Sequence, residues 1–241
     1  MGKKTINFFS QVEGVADSFP ILKAKDAIPS WVNDARKDFL MAQESQDRGF
    51  QHITRCPGIF HLFNTGYIVP MWFDLEVSRD RWTVADPSIN EFLGKEPMGL
   101  QLGEGIAKNI PKRPWSWPDI VKINTPWHVM APKDVKFLMI PLPYTSFFDF
   151  EACLGILDPA YSTEINIQGY LNAPSTFIKA GTPIAQLIPL TEKHYDVIVR
   201  DQNENDKLWL KKRKYLNFFS FQYPRHLIKK LYNKHVRDHF Q

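Results

Sequence analysis

The sequence is poor in glycine and nearly without cysteine, with twelve glycines and only Cys56 and Cys153 among 241 residues. Two cysteines so far apart make no disulfide framework and no paired metal-ligand motif, which points to a reducing compartment and to two inert packing thiols. No run of about 18 apolar residues occurs, and the opening MGKKTINFFSQVEG has no apolar stretch of signal-peptide length. The expectation is therefore neither a membrane span nor signal-led secretion. No internal repeat is visible, which removes solenoids and propellers. A Walker A loop, a dinucleotide-binding glycine fingerprint, a Gly-x-Ser-x-Gly elbow and the cysteine pattern of a zinc deaminase are all missing.

What is present is aromatic and stiff. Hydrophobic residues at 44% and charged residues at 23% suit a globular chain, and eighteen prolines, eighteen phenylalanines and seven tryptophans favour short strands and rigid loops over long helices. The length sits at the upper end for one core. The expected organisation is an irregular, partly helical segment over 1–55 packed on the core, a β-rich core domain over 56–200, and a basic helical extension over 201–241.

Val32, Ala35, Phe39 and Ala42 recur at helical spacing and predict a helix over 32–46. Apolar runs cut by turn residues at 58–63, 67–77, 82–84, around Val129, and at 135–140, 165–170 and 184–190 read as strands. In the KRPWSWPD segment over 112–119, Trp115 and Trp117 have two readings: they stack a base, or they clamp a Pro-stiffened loop onto the core.

Charge is unevenly placed. The net charge is only +4, yet residues 207–237 hold ten of the thirty Lys and Arg side chains. Between 224 and 240, Leu227, Ile228, Leu231, Tyr232 and Val236 fall on one side of a helix, with Arg225, Lys229, Lys230, Lys234 and Arg237 largely elsewhere. Those five are the candidate partner-binding residues, for an anionic or protein partner; a domain cap with a solvated face is the plainer reading. His235 and His239, four apart, have the spacing of paired metal ligands but lack an accompanying glutamate or third ligand.

The stretch over 155–189, GILDPAYSTEINIQGYLNAPSTFIKAGTPIAQLIP, resembles two consecutive motifs of the dUTPase and dCTP deaminase superfamily. Gly155, Asp158 and Tyr161 match the first; Gly181, Ile184, Ala185, Gln186 and Leu187 match the second, with Phe177 and Ile178 just before it. The resemblance implies a mainly β, β-clip-like, dUTPase-related barrel, with an N-terminal helix and a C-terminal basic helix added, and a homotrimer. It implies a catalytic role for Asp158, as general base or sugar ligand. By the same resemblance Tyr161 lies against the sugar, Gln186 reaches a phosphate, and Mg²⁺ is carried mostly by phosphate oxygens and water. Asp74, in Trp72-Phe73-Asp74-Leu75-Glu76, would hold water around that metal. The reaction would be phosphoanhydride hydrolysis releasing pyrophosphate.

The same positions also have ordinary structural readings. An Asp before Pro159 opens turns, and Gly-Thr-Pro before an apolar strand is common in β proteins. The chain departs from the superfamily at 141–146, where PLPYTS lacks the glycine that admits a phosphate, and it has no flexible glycine-rich arm. A second, looser resemblance, carried by Ile28-Pro29-Ser30-Trp31, Cys56-Pro57-Gly58-Ile59, Asn64-Thr65-Gly66-Tyr67, TPWHVMAPKD from Thr125 and the GILD and GTPIAQLIP segments, is to uncharacterised proteins of tailed phages of marine cyanobacteria. It implies a protein of the host cytoplasm, or of the virion. Two functions are thus expected: a phage structural or interaction protein on a degenerate dUTPase-like fold, engaging a phage or host protein, or a deoxynucleotide-binding protein with weak pyrophosphatase activity.

Overall fold

A computed structural model describes residues 5–44, 56–78, 81–101, 108–111, 113–218 and 225–240. The first half of the chain forms β1 (Thr5–Ser10), α1 (Val15–Ser18), β2 (Leu22–Lys23), α2 (Ser30–Glu44), α3 (Pro57–Asn64), β3 (Tyr67–Pro70), β4 (Leu75–Ser78) and β5 (Arg81–Val84). Next come α4 (Ile89–Leu93), β6 (Met98–Gln101), β7 (Ile120–Met130), β8 (Phe137–Ile140), β9 (Phe150–Ala152) and β10 (Gly155–Leu157). The last third contains β11 (Glu164–Leu171), β12 (Ser175–Ile178), β13 (Pro183–Pro189), β14 (Asp196–Asp201), α5 (Glu204–Phe218) and α6 (Arg225–Phe240).

The protein is mainly β. Among the described residues the strands form three open sheets and no closed barrel, which corrects the barrel expected from the sequence. One sheet runs β14-β1-β7-β11-β9, with β6 also on β7; a second runs β10-β8-β13-β3-β2; a third runs β12-β4-β5. Strand β11 alternates, burying Ile165, Ile167, Gly169 and Leu171, so one face meets the core. Strand β1 is different, because Ile6 and Phe8 enter the main core while Phe9 packs on the opposite side against Met130, Ala160, Trp209, Tyr232 and Val236. A strand covered on both faces reads as a continuous apolar run rather than an alternating one.

Two local expectations change. Residues 58–63 are not a strand but most of α3: Pro57 is pre-set for a first helical turn, and Ile59, Leu62 and Phe63 share a helix face. Residues 67–77 are not one strand, since β3 and β4 are separated and join different sheets. The turn entering β3 needs Gly66, whose φ is 87° and where a β-carbon would stand 2.1 Å from the carbonyl oxygen of Leu187. Within the segment expected to pack on the core, β1 pairs in parallel with β14 and antiparallel with β7 inside the largest sheet.

The carboxyl-terminal helices close the far side of that sheet. The Tyr232 hydroxyl donates to the carbonyl of Ala131 (3.0 Å) and accepts from its amide (2.8 Å), and its ring lies edge-on to Trp209 at 5.5 Å. Burial raises the Tyr232 pKa well above the ordinary phenol value. Replacing Tyr232→Phe leaves both backbone groups of Ala131 buried and unpaired, at a cost of about 2 kcal/mol. Urea denaturation should show a lower midpoint at an unchanged m-value.

Candidate functional site

The concave surface is built around the segment between β8 and β9. Residues 141–149 leave β8 through Pro141 and Pro143 and turn at Tyr144, a non-glycine residue with φ of 53°. That backbone is held from outside: the Trp31 indole donates to the Tyr144 carbonyl at 3.1 Å, and the rings of Trp31, Phe63 and Tyr144 pack together. At the other end the Asn172 amide side chain donates to the Phe148 carbonyl at 2.9 Å, and the Thr176 hydroxyl donates to Asp149 at 2.9 Å. A loop pinned at both ends presents its side chains in a fixed arrangement.

Two clefts flank this loop. The larger, about 520 Å³, is lined by Trp115, Tyr144, Phe147, Phe148 and Phe150, with Thr145, Glu151 and Asn172 as its polar members. Glu151 already accepts from Arg113 at 2.6 Å, and the Arg113 guanidinium stacks on Tyr170 at 4.0 Å. The hydrogen bond to Glu151 raises the Arg113 pKa further. The second cleft, about 380 Å³, shares Leu142, Thr145, Phe147 and Pro183 with the first and adds Trp31, Phe63, Ser146 and Gln186. Both are apolar hollows with a few polar groups, the usual composition of binding sites.

The residues singled out for nucleotide chemistry are distributed otherwise. Gln186 lies in the second cleft with Thr145 and Ser146, but it is 1% exposed, and its amide nitrogen donates to the carbonyls of Leu62 (2.8 Å) and Thr65 (2.6 Å). Its donors thus tie off the end of α3. Asp158 lines neither cleft. It opens the turn into Pro159, accepting from the Ala160 amide at 3.1 Å, and stands 3.3 Å from the Lys136 ammonium. The Tyr161 amide closes the same turn on the Asp158 carbonyl at 2.9 Å, and the Tyr161 carbonyl accepts from Arg213 of α5. Asp74 accepts from the Ala180 amide at 2.7 Å, joining the start of β4 to the turn after β12. Among the described residues no group of three or more His, Cys, Asp or Glu side chains is placed to hold a metal ion.

Trp117 is buried and its amide donates to Leu171, so it clamps the 112–119 loop, whereas Trp115 is 66% exposed at the cleft. Of the basic residues named on α6, Lys229 reaches Asp134 at 3.4 Å, Arg237 pairs with Asp238, and Arg225, Lys230 and Lys234 stand outward. His235 is buried beside Trp209, and the side chain of His239 lies outside the described residues. Sequence reasoning missed the aromatic cleft, whose signal was Ser146-Phe147-Phe148-Asp149-Phe150 directly after a Pro-rich stretch.

It also missed a buried polar network on β7. His128, 4% exposed, is held at Nδ1 by the Thr163 hydroxyl (3.1 Å) and at Nε2 by the Gln11 side-chain oxygen (3.2 Å), with its ring stacked 5.0 Å from Phe9. The Gln11 amide nitrogen donates to the Leu93 carbonyl, so its oxygen faces the ring and accepts a hydrogen bond from Nε2–H. Alongside, Glu164 pairs with Lys95 and accepts from Asn166 at 3.0 Å. Compared with known proteins, the chain matches no family model and no curated protein.

Burial is the main cause that lowers the His128 pKa to about 4 from 6.5. The unfolded chain therefore takes up this proton first, and the stability carried by neutral His128 is lost as pH falls from about 6.5 to about 4. The expected slope approaches about 1.4 kcal/mol per pH unit for one proton. Urea denaturation across that window should show it, and His128→Asn should flatten it.

Proposed function

We propose that the chain is an interaction protein on a degenerate dUTPase-like, β-clip-like scaffold, and that copies of it assemble through the surface around the larger cleft. One observation carries this reading. Within thirteen consecutive positions Tyr144 (50%), Phe148 (71%), Leu154 (74%) and Ile156 (66%) are exposed, and Trp115 (66%) adds to them across the cleft. Monomers seldom leave so many large apolar side chains open on a rigid surface. Ile156 lies on β10, which ends its sheet with no second partner strand among the described residues. An edge strand bearing apolar side chains is itself a pairing site.

Light scattering coupled to size exclusion should give an oligomer at micromolar concentration, a trimer if the superfamily resemblance extends to assembly. Phe148→Glu combined with Ile156→Lys should give a monomer with unchanged circular dichroism. A monomeric native protein across the micromolar range would sink this reading.

The second reading, deoxynucleotide binding with Mg²⁺ at Asp158 and Tyr161, has the order and spacing of the two motifs over 155–189 in its favour, and the meeting of Gln186 with Thr145 and Ser146 in one cleft. Against it stands the commitment of the Gln186 amide to backbone carbonyls. A thermal-shift panel of deoxynucleoside triphosphates with Mg²⁺ decides. No shift is expected, whereas a site filled to a hundred times its dissociation constant adds about 2.7 kcal/mol. A selective shift abolished by Asp158→Asn establishes nucleotide binding instead.

A further inference from the structure

The carboxyl-terminal helices carry a charge pattern that capping the sheet does not require. Residues 207–237 contain ten Lys and Arg side chains and no Asp or Glu, which leaves twenty cationic against twenty-six acidic side chains in the other 210 residues. The ends of the charge distribution therefore differ sharply: +10 over thirty-one residues and −6 over the remainder.

The placement of the cations is regular. On α5, Trp209 faces the sheet, and Lys207, Lys211 and Lys214, spaced i, i+4, i+7, fall on the opposite side of the helix. On α6, Tyr232 faces the sheet, and Lys230, Lys234 and Arg237 repeat the same spacing on the opposite side. All six are exposed. Because Trp209 and Tyr232 pack on each other in one cluster, the two helices show their cationic rows on the side turned away from the sheet. Each row spans about 10 Å along its axis at about 1.5 Å per residue.

Neutralisation within the protein is slight. Lys207 pairs with Glu204 at 2.8 Å and Arg237 with Asp238 at 3.2 Å, while Lys211, Lys214, Lys230 and Lys234 form no ion pair among the described residues. Lys212 and Arg225 are also exposed but lie off these rows.

From this geometry we infer that α5 and α6 form a docking surface for the phosphate backbone of a nucleic acid. Duplex DNA carries one negative charge per about 1.7 Å of axis, so it engages several cations of both rows together. The net acidity of the rest of the molecule repels such a polyanion and orients it toward this face. An anionic bilayer fits less well. A helix lying in a membrane surface inserts an apolar face, but the apolar faces here cover Phe9 and Met130, and among the described side chains of the two helices the exposed large apolar ones are Leu208 and Leu231, each on a flank rather than the outer side.

The test is fluorescence anisotropy with a labelled mixed-sequence DNA duplex, titrated by the full chain over a series of salt concentrations. If all six cations engage phosphates, log affinity falls against log salt with a slope of about −5, at about −0.9 per phosphate. The triple variants K207Q/K211Q/K214Q and K230Q/K234Q/R237Q should each reduce that slope by about half. Glutamine has nearly the helix propensity of lysine, and an unchanged melting temperature checks that folding is intact. Lys25→Gln, Lys179→Gln and Lys193→Gln together, exposed cations elsewhere, should leave the slope unaltered. Vesicles of phosphatidylserine and phosphatidylcholine form a parallel arm. No binding to duplex, binding to vesicles alone, or an equal loss of slope in the control triple each overturns the inference.

Discussion

Strand β7 is shared by more neighbours than any other strand, and the rest of the architecture depends on how it manages this. Along one edge it pairs with β11, while its other edge is divided: residues 120–123 face β6 and residues 127–130 face β1. Pro126 sits at the changeover, where the absent amide proton costs no ladder hydrogen bond and the β11 register shifts between Glu164 and Asn166. Thr125 repairs the local pairing, its hydroxyl donating to the Ile165 carbonyl and accepting from the Trp127 amide at 3.2 Å. The bend lets two short strands from distant parts of the sequence share one long partner.

The polar side chains beside this bend follow from it. His128 lies two residues after Pro126, where β1 takes over the edge, and its ring is enclosed by Phe9, Gln11 and Thr163. A neutral imidazole with both nitrogens occupied meets the demands of burial without a counter-charge. The Lys95–Glu164 pair beside it is partly solvated, so it adds much less than its geometry suggests. Arg200 and Asp206 do comparable work at the other end of the sheet, where Asp206 also caps the start of α5 through the Asn203 amide at 2.7 Å.

Legibility in the sequence followed the reach of each signal. Strand β11, with strict alternation, and α6, with a clean amphipathic pattern, announce themselves within a dozen residues. Helix α3 does not: its apolar run is too short for period alone to separate helix from strand, and Pro57 is the deciding residue. The aromatic cleft was legible only at Trp115, singled out between prolines in a stiff loop, while Phe147, Phe148 and Phe150 carried no periodic pattern that marked them. The His128 network left no local trace, because Gln11, Lys95 and Thr163 meet it only through the sheet. Asp158 and Gln186 show the converse: local motifs located real turns and strands, but the partners that occupy their side chains, Lys136, Leu62 and Thr65, were not readable from spacing.

The pairing of β1 with β14 bears on how the molecule is made. The Asp201 carboxylate accepts from the Gly14 amide at 2.6 Å across 187 positions, and Phe9 is covered by residues from both terminal helices. During synthesis the first strand emerges long before anything that can pair its outer edge or cover its second face exists. Contacts this distant are slow to form, so the outer edge of β1 and the face that bears Phe9 stay open until β14, α5 and α6 have been synthesised, and a ribosome stalled before α5 holds a product that cannot cover Phe9.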